Sequence, residues 1–513
     1  MKPSCLVCLA LLFIQSSITT ARDWYEYSSD NFTVYSDVRE KSALALLRDM
    51  ERFRAAALLF TGLPDTPESR RLKVFHFNSS SEFQDFTQEW RVAGFYKETW
   101  EGPLIFSQKG SSWRIPGNGV MFHEYIHHLM RSRSSVIYPM WYSEGFAELL
   151  ASATLNDERI SLGLVPEWRR PVFNGSAFKG PLKVDELLEP EYDNDSGNYW
   201  NSFYATAWLF THYLQLGALS DKPSYHKQTQ NYLIALHQGG DPKAVFEEHF
   251  GISIEEMEAE LKKYRRGRIR GTSFLSPPYE KPIRQRELPA HERFYLLAEK
   301  AFEVGNESLS LEYLDEALEL KPDWRPALIF VAVLQNHRQT PESLNKAQTI
   351  VSNLGIDPVA GQHPINDYRT GLHLAHYHMD VFDELGKEGR HDGDLRDRAA
   401  HLAQAAISIN PESIDAHRLL WRAQKDPHKP VTALKTMMSA FQLNPDSLYI
   451  NKEIGFYLAE ANRLDLAAPF LKRVLAWSHP GRDRARAKSL LARFQEGKAE
   501  ATGANKLTPR TNS

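Results

Sequence analysis

Apolar positions along the chain change their period as the sequence proceeds. Asn31-Phe-Thr-Val-Tyr and Leu72-Lys-Val-Phe-His-Phe alternate with β-branched and aromatic residues, the period of two that predicts strands. Between them Leu44, Leu47, Met50 and Phe53 recur at helical spacing and predict a helix over 42–58. Pro103-Leu-Ile-Phe predicts a further strand closed by Gly110, and helical periodicity dominates from Val120 onward. Strands first and helices later predict an α+β domain rather than a doubly wound sheet.

From His291 to about Phe494 the pattern is helical throughout and repetitive. Prolines after short Leu/Ala-rich helices fall at Pro322, Pro358, Pro411, Pro445 and Pro480, at intervals of 36, 53, 34 and 35 residues. A period of about 34 marks the tetratricopeptide repeat, in which each helix pair buries a face against its neighbours. The run from Tyr313 to Pro322 closes one unit, and Ile454-Gly-Phe-Tyr457 opens another, followed by Ala467 and Ala468. This part of the chain resembles tetratricopeptide repeats, and the 53-residue interval implies an insertion or a degenerate unit. Ahead of it, residues 265–290 hold Arg265, Arg266, Arg268 and Arg270, then Pro277, Pro278, Pro282 and Pro289. Such a stretch predicts an extended, solvated linker.

The N-terminus reads as a signal peptide over 1–21: Lys2, an apolar run from Cys5 to Ile14, and the small-residue exit Thr19-Thr20-Ala21. That run is shorter than the roughly 20 residues a spanning helix needs. Both cysteines, Cys5 and Cys8, lie inside it. Its removal leaves no thiol, so disulfides are excluded and a metal site must use histidine and carboxylate. An exported chain without disulfides fits a bacterial envelope, so the expected location is the periplasm or the exterior, with no integral membrane segment. Residues 497–513 are small and polar and predict a disordered tail. The expected organisation is therefore an α+β domain over 22–264, the linker, and an all-α helical solenoid over 291–496.

Charge removes one class of function. Across 513 residues, 61 Lys and Arg face 65 Asp and Glu, a net −4, so no global field favours nucleic acid. A composition 42% hydrophobic and 25% charged is that of a globular chain rather than a disordered one.

The sharpest chemical feature is His123-Glu124-Tyr125-Ile126-His127. On a helix His123 and His127 stand one turn apart on the same side and can share a metal ion. Glu124 lies about 100° round, placed to hold a water and take its proton. After a short turn containing Ser134, Ser135 and Pro139, Trp141-Tyr-Ser-Glu144-Gly-Phe-Ala-Glu148 starts a second helical pattern. Two helices so joined pack antiparallel, which lets Glu144 reach the histidine pair as third ligand and leaves one position open. Glu148, a turn later, can accept a hydrogen bond from the other nitrogen of a ligating histidine or can be a simple surface charge. Zinc suits this donor set, although Co²⁺ or Mn²⁺ could occupy it.

His-Glu-x-x-His followed by Trp-x-x-Glu-Gly-x-Ala-Glu resembles the gluzincin zinc metallopeptidases, in particular the bacterial peptidase-MA-like proteins, from about Trp24 to Tyr264. The resemblance implies an α+β metallopeptidase-like fold, His123, His127 and Glu144 as zinc ligands, Glu124 as general base and Glu148 behind them. It also implies that the Pro103–Gln108 strand is the edge pairing with an extended peptide or protein substrate. Phe203-Tyr204-Ala-Thr-Ala-Trp208 resembles the helix after the active site, where Tyr204 either donates to an oxyanion or merely packs. The Gly-x-Met-Glu-Asn motif of related aminopeptidases is absent, which weakens an exopeptidase reading. Two readings follow: an exported zinc peptidase whose repeats bind substrate or a protein partner, and a catalytically silent repeat scaffold that retains the zinc fold. A zinc hydrolase of non-peptide amides shares the same ligands. A second cluster, His373, His376 and His378 with His391-Asp392, is expected to pack or face solvent rather than bind metal.

Overall fold

The computed structural model describes residues 23–504, apart from 67–69, 90–92, 110–116, 135, 157, 176–179, 192–195, 277, 357–364, 391, 426–429 and 479–480. The expected signal peptide over 1–21, Gly110, Pro277, Pro358, His391 and Pro480 lie outside the described residues.

The N-terminal region is a small α/β unit built on a mixed sheet. Strands β1 (Tyr25–Ser28), β2 (Phe32–Ser36), β3 (Leu72–Phe77), β4 (Gly94–Thr99) and β5 (Gly102–Gln108) alternate with helices α1 (Glu40–Thr61) and α2 (Ser80–Thr87). Then come α3 (Gly117–Arg133), α4 (Met140–Ala151), β6 (Thr154–Leu155), β7 (Arg159–Leu162), α5 (Arg170–Phe173) and α6 (Val184–Leu188). The unit continues through α7 (Gly197–Leu216), α8 (His226–His237), α9 (Pro242–Phe250), α10 (Ile254–Arg266), β8 (Thr272–Leu275) and β9 (Arg284–Glu287). The main sheet runs β4-β5-β3-β2-β1-β9, with β2, β3 and β5 parallel and the other neighbours antiparallel. Its alternation sends Phe32, Val34, Leu72, Val74 and Ile105 into a core with α1 and α3. Phe75, Phe77, Leu104 and Phe106 point to the opposite face and are equally buried. A sheet covered on both faces needs a layer on each, and the second layer comes from further along the chain.

The strand at Pro103–Gln108 is not the edge that the family resemblance implied. Strand β4 pairs with it from Gly94↔Ser107 to Thr99↔Gly102 and takes the edge position, so β5 lies inside the sheet. Gly-Phe-Tyr-Lys-Glu-Thr, with adjacent aromatics and then charges, carries no clean period of two, which is why the sequence hides β4. Segment 265–290 is not a free linker: Arg265 and Arg266 end α10, and Ala290 opens the next helix. Its two strands are paired, β8 with β7 in a small sheet ordered β6-β7-β8 and β9 with β1. Backbone groups that a linker leaves to water are satisfied here by ladder bonds.

From residue 290 the chain forms helix pairs: α11 (Ala290–Glu303) with α12 (Glu307–Leu320), α13 (Arg325–His337) with α14 (Pro341–Leu354), and α15 (Tyr368–Lys387) with α16 (Gly393–Ile409). They continue as α17 (Ile414–Gln424) with α18 (Pro430–Leu443), α19 (Leu448–Glu460) with α20 (Leu464–Trp477), and a closing α21 (Arg482–Ala504). Seven of these eleven starts have a visible local cause. Asn306, Thr340, Asp367, Asp392, Ser413 and Ser447 accept from backbone N–H groups of the first turn, while Pro326 and Pro341 stand where no donor is needed. The long interval adds no extra pair among the described residues; α15 and α16 are lengthened to 20 and 17 residues. Helix α21 runs on to Ala504, past the start of the expected tail at Gly497. Leu297 and Ala301 of α11 pack on Phe75, Phe77 and Phe106 and supply the second layer of the sheet. No helix among the described residues is long and apolar enough to cross a membrane.

Candidate metal centre

Helix α3 presents His123 and His127 one turn apart, and α4 returns against it after a short connection. Helix α4 is seated by a close approach to α7. A Cβ on Gly145 would stand 2.3 Å from Thr211 Oγ1 and 2.4 Å from the Ala207 carbonyl oxygen, so only glycine lets these backbones meet. The neighbouring Glu144 is thereby held facing α3.

Three donor atoms converge. His123 Nε2 and His127 Nε2 are 3.1 Å apart, and Glu144 Oε2 lies 3.2 Å from the first and 3.3 Å from the second. Ligands about 2.0–2.1 Å from a tetrahedral zinc stand about 3.3–3.4 Å from one another, so the donor atoms present fit that ion after spreading by a few tenths of an ångström. Among the described residues this is the one group of three such side chains with converging donor atoms. Each of the three side chains is 15% exposed, enough for access from solvent.

Electrostatics tie the cluster together. Burial drives the His123 imidazole down, but the Glu144 hydrogen bond and the charges of Glu124, Glu148 and Glu144 outweigh it and bring the group up to about 9. Burial raises Glu144, and the two histidines more than reverse this and hold it well below the usual carboxylate range. Glu124 is pushed up, by burial first, against the opposing pull of His123 and His127. A carboxylate raised in this way is a better proton acceptor at neutral pH than an exposed one.

Glu148 is 3% exposed and is no surface charge. Its Oε1 lies 3.5 Å from His123 Nδ1, and it receives two hydrogen bonds from Arg169, at 2.7 Å and 2.9 Å. Burial raises Glu148, and the Arg169 guanidinium overcomes it, so the carboxylate stays ionised behind His123. Ser143 Oγ stands 3.3 Å from His127 Nδ1 and does for the second histidine what Glu148 does for the first. Tyr204 on α7 faces His123 with ring centroids 6.4 Å apart, and Arg169 lies 5.3 Å from its ring centroid. Burial, then the Glu144 and Glu148 charges, raise its phenol far above the ordinary value, so it remains a neutral donor. His128, 7% exposed, lies against Tyr96 and Tyr125 rather than with the ligands.

The sequence carries no signal for Arg169, which reaches Glu148 only through the fold of the segment between α4 and α7. Ser143 was within reach of sequence reasoning, since it precedes Glu144 in the same helical turn. The second histidine cluster does not converge. His373 bonds the Tyr295 hydroxyl and stacks on Phe330, His376 Nε2 lies 2.8 Å from Asp415 Oδ2, and His378 is buried apart from both.

No protein-family profile matches the chain, and no curated protein matches it. Among solved structures it is similar to a thermophilic TPR protein from Thermus thermophilus, at 19% identity and a TM-score of 0.31, over 40% of this chain and 100% of that one. A likeness that distant carries no argument, and the helix-pair array stands on its own packing.

Proposed function

We propose that this chain is an exported zinc-dependent peptidase, periplasmic or secreted, whose N-terminal α/β unit is a metallopeptidase-like domain and whose helix pairs form a tetratricopeptide-type array. The observation that carries the reading is the convergence of His123, His127 and Glu144 at tetrahedral spacing, with Glu124 beside them. His123, His127 and Glu144 would hold the zinc, and the bound ion would supply Lewis acidity to a scissile carbonyl and to a water. Glu124 takes the proton of the attacking water and passes it to the leaving amine. Tyr204 donates a hydrogen bond to the oxyanion. Glu148, clamped by Arg169, and Ser143 fix the two imidazole rings. Strand β4, the sheet edge beside α3, is the surface on which an extended peptide substrate adds as a further strand.

The test is the metal content of residues 22–513 beside Glu144→Ala. About one zinc per chain in the parent, and much less in the variant, is the expected result. An absence of zinc after reconstitution removes the reading. The second reading, a scaffold without catalysis, draws on the helix-pair array, because such arrays serve as extended binding surfaces. It predicts that Glu124→Gln leaves the biological role intact.

A further inference from the structure

The hairpin of β4 and β5 ends on the array. At its tip Trp100 stacks on Tyr449, ring centroids 5.2 Å apart, packs on the core of α17–α21, and has the Arg418 guanidinium 4.9 Å from its ring centroid. Glu101 Oε1 accepts from the Ser413 hydroxyl at 2.9 Å and from the Asp415 backbone N–H at 3.0 Å. Its other oxygen is 3.8 Å from Arg70. A carboxylate on free N–H groups at a helix start is held by two hydrogen bonds and by the helix dipole. Lys97 adds a hydrogen bond to the Glu303 carbonyl.

The array residues that bond to Lys97 and Glu101 or meet the Trp100 ring belong to, or cap, the first helix of a pair: Glu303 on α11, Ser413, Asp415 and Arg418 at α17, Tyr449 on α19. Helix α13 packs on α15 and α15 on α17, while Tyr295 of α11 meets Phe330 of α13 and Trp421 of α17 meets Tyr457 of α19, so the first helices stand side by side as one face. That face continues past the tip. Tyr368, whose hydroxyl oxygen lies 3.4 Å from Ser413 Oγ, lines with Trp324, Arg325 and Arg369 an open cavity of about 550 Å³. At the other end of β4, Tyr96 lies 6.3 Å from His128 and 5.1 Å from the Arg131 guanidinium, both on the metal helix.

We propose that this face is a peptide-recognition groove whose resident ligand is the chain's own Trp100-Glu101. A partner peptide presenting an aromatic residue followed by a carboxylate displaces the tip, gaining the Trp324–Tyr368 cavity as well. Displacement unpins β4 and so changes the edge that flanks α3. The tethered tip competes at an effective concentration of the order of millimolar, so the parent resists ligands that a vacated groove accepts.

The experiment uses the full chain and two readouts that need no metal. The probe is a synthetic peptide of residues 96–105, with the same peptide carrying alanine at both tip positions as control. Trp100→Ala/Glu101→Ala is expected to bind the probe at least about tenfold tighter than the parent does, and neither protein to bind the control. Amide exchange over 94–99 should rise about ten- to a hundredfold in the variant, with 72–77 unchanged. Equal uptake by parent and variant, or unchanged exchange in β4, overturns the proposal. Should the double variant lose protection across 72–77 as well, Arg418→Ala/Tyr449→Ala tests the same contact from the groove side. Unchanged β4 exchange there overturns it equally.

Discussion

The state of the Glu124 carboxyl is set by its surroundings. Its carboxyl is raised by burial while two imidazoles sit beside it, so replacing the charge should cost rate and leave the donor set untouched. Glu124→Gln is expected to lower peptide turnover by about 10²–10⁴-fold with zinc content unchanged, as read by metal analysis beside a cleavage assay. Full cleavage by that variant would remove Glu124 from the mechanism. Arg169 acts at one remove, through Glu148 and His123. Arg169→Ala should weaken zinc binding by about 10- to 100-fold in a chelator competition, and Arg169→Lys should recover only part of it because lysine lacks the two-pronged geometry. Equal zinc affinity in all three proteins would make the Arg169–Glu148 pair a purely structural one.

At the scale of elements, the contact between α4 and α7 decides whether the site forms. Gly145→Ala places a methyl 2.4 Å from the Ala207 carbonyl oxygen, a clash that only a shift of α4 relieves. The expected cost is about 1–3 kcal/mol in thermal unfolding, with a loss of zinc affinity as Glu144 moves with its helix. A variant that keeps both would mean the two helices are not in contact as described. In the array, α15 carries a pH-dependent load. Burial, then the charge of His376, takes His373 down to about 3, so it is neutral in the folded state and gains a proton near 6.5 when unfolded. Between those values the unfolded chain binds more protons, so stability is full above about 6.5 and falls as pH drops toward 3. The slope approaches about 1.4 kcal/mol per pH unit. His373→Gln should flatten the fall between pH 7 and 5 in denaturant unfolding, and an unaltered slope would show that His373 does not contribute to it.

The whole molecule is less divisible than its two textures suggest. Leu297 and Ala301 of α11 close the sheet face formed by Phe75, Phe77, Leu104 and Phe106, and β9 extends the same sheet on its way to the array. A chain ending at Pro289 would expose that face to water. It is expected to elute as aggregates and to bind a hydrophobic dye, because an uncovered aromatic sheet face is an association surface. A monodisperse, cooperatively unfolding fragment would show that the first pair is dispensable to the sheet. Scaffold tests that delete the array would therefore disturb the candidate metal site as well, which makes the Trp100-Glu101 variant the cleaner probe of what the array does.

What the sequence determined by itself was whatever depends on spacing along one element. The strands at 32–36 and 72–77, the helix through Leu44 and Phe53, the pairing of His123 with His127, and the repeat near 34 residues all follow from periods of two, of 3.6 and of one helix pair. Glu144 was legible because a short connection leaves two helices one way to pack. Contacts between distant segments were left to the tertiary structure. The edge position of β4, the Arg169 clamp on Glu148, the burial of Glu148 and the docking of Trp100 on Tyr449 join residues 21 to 349 positions apart or depend on such joining. No local period encodes them. They are fixed when buried polar and aromatic groups must find partners and only the folded chain brings those partners within reach.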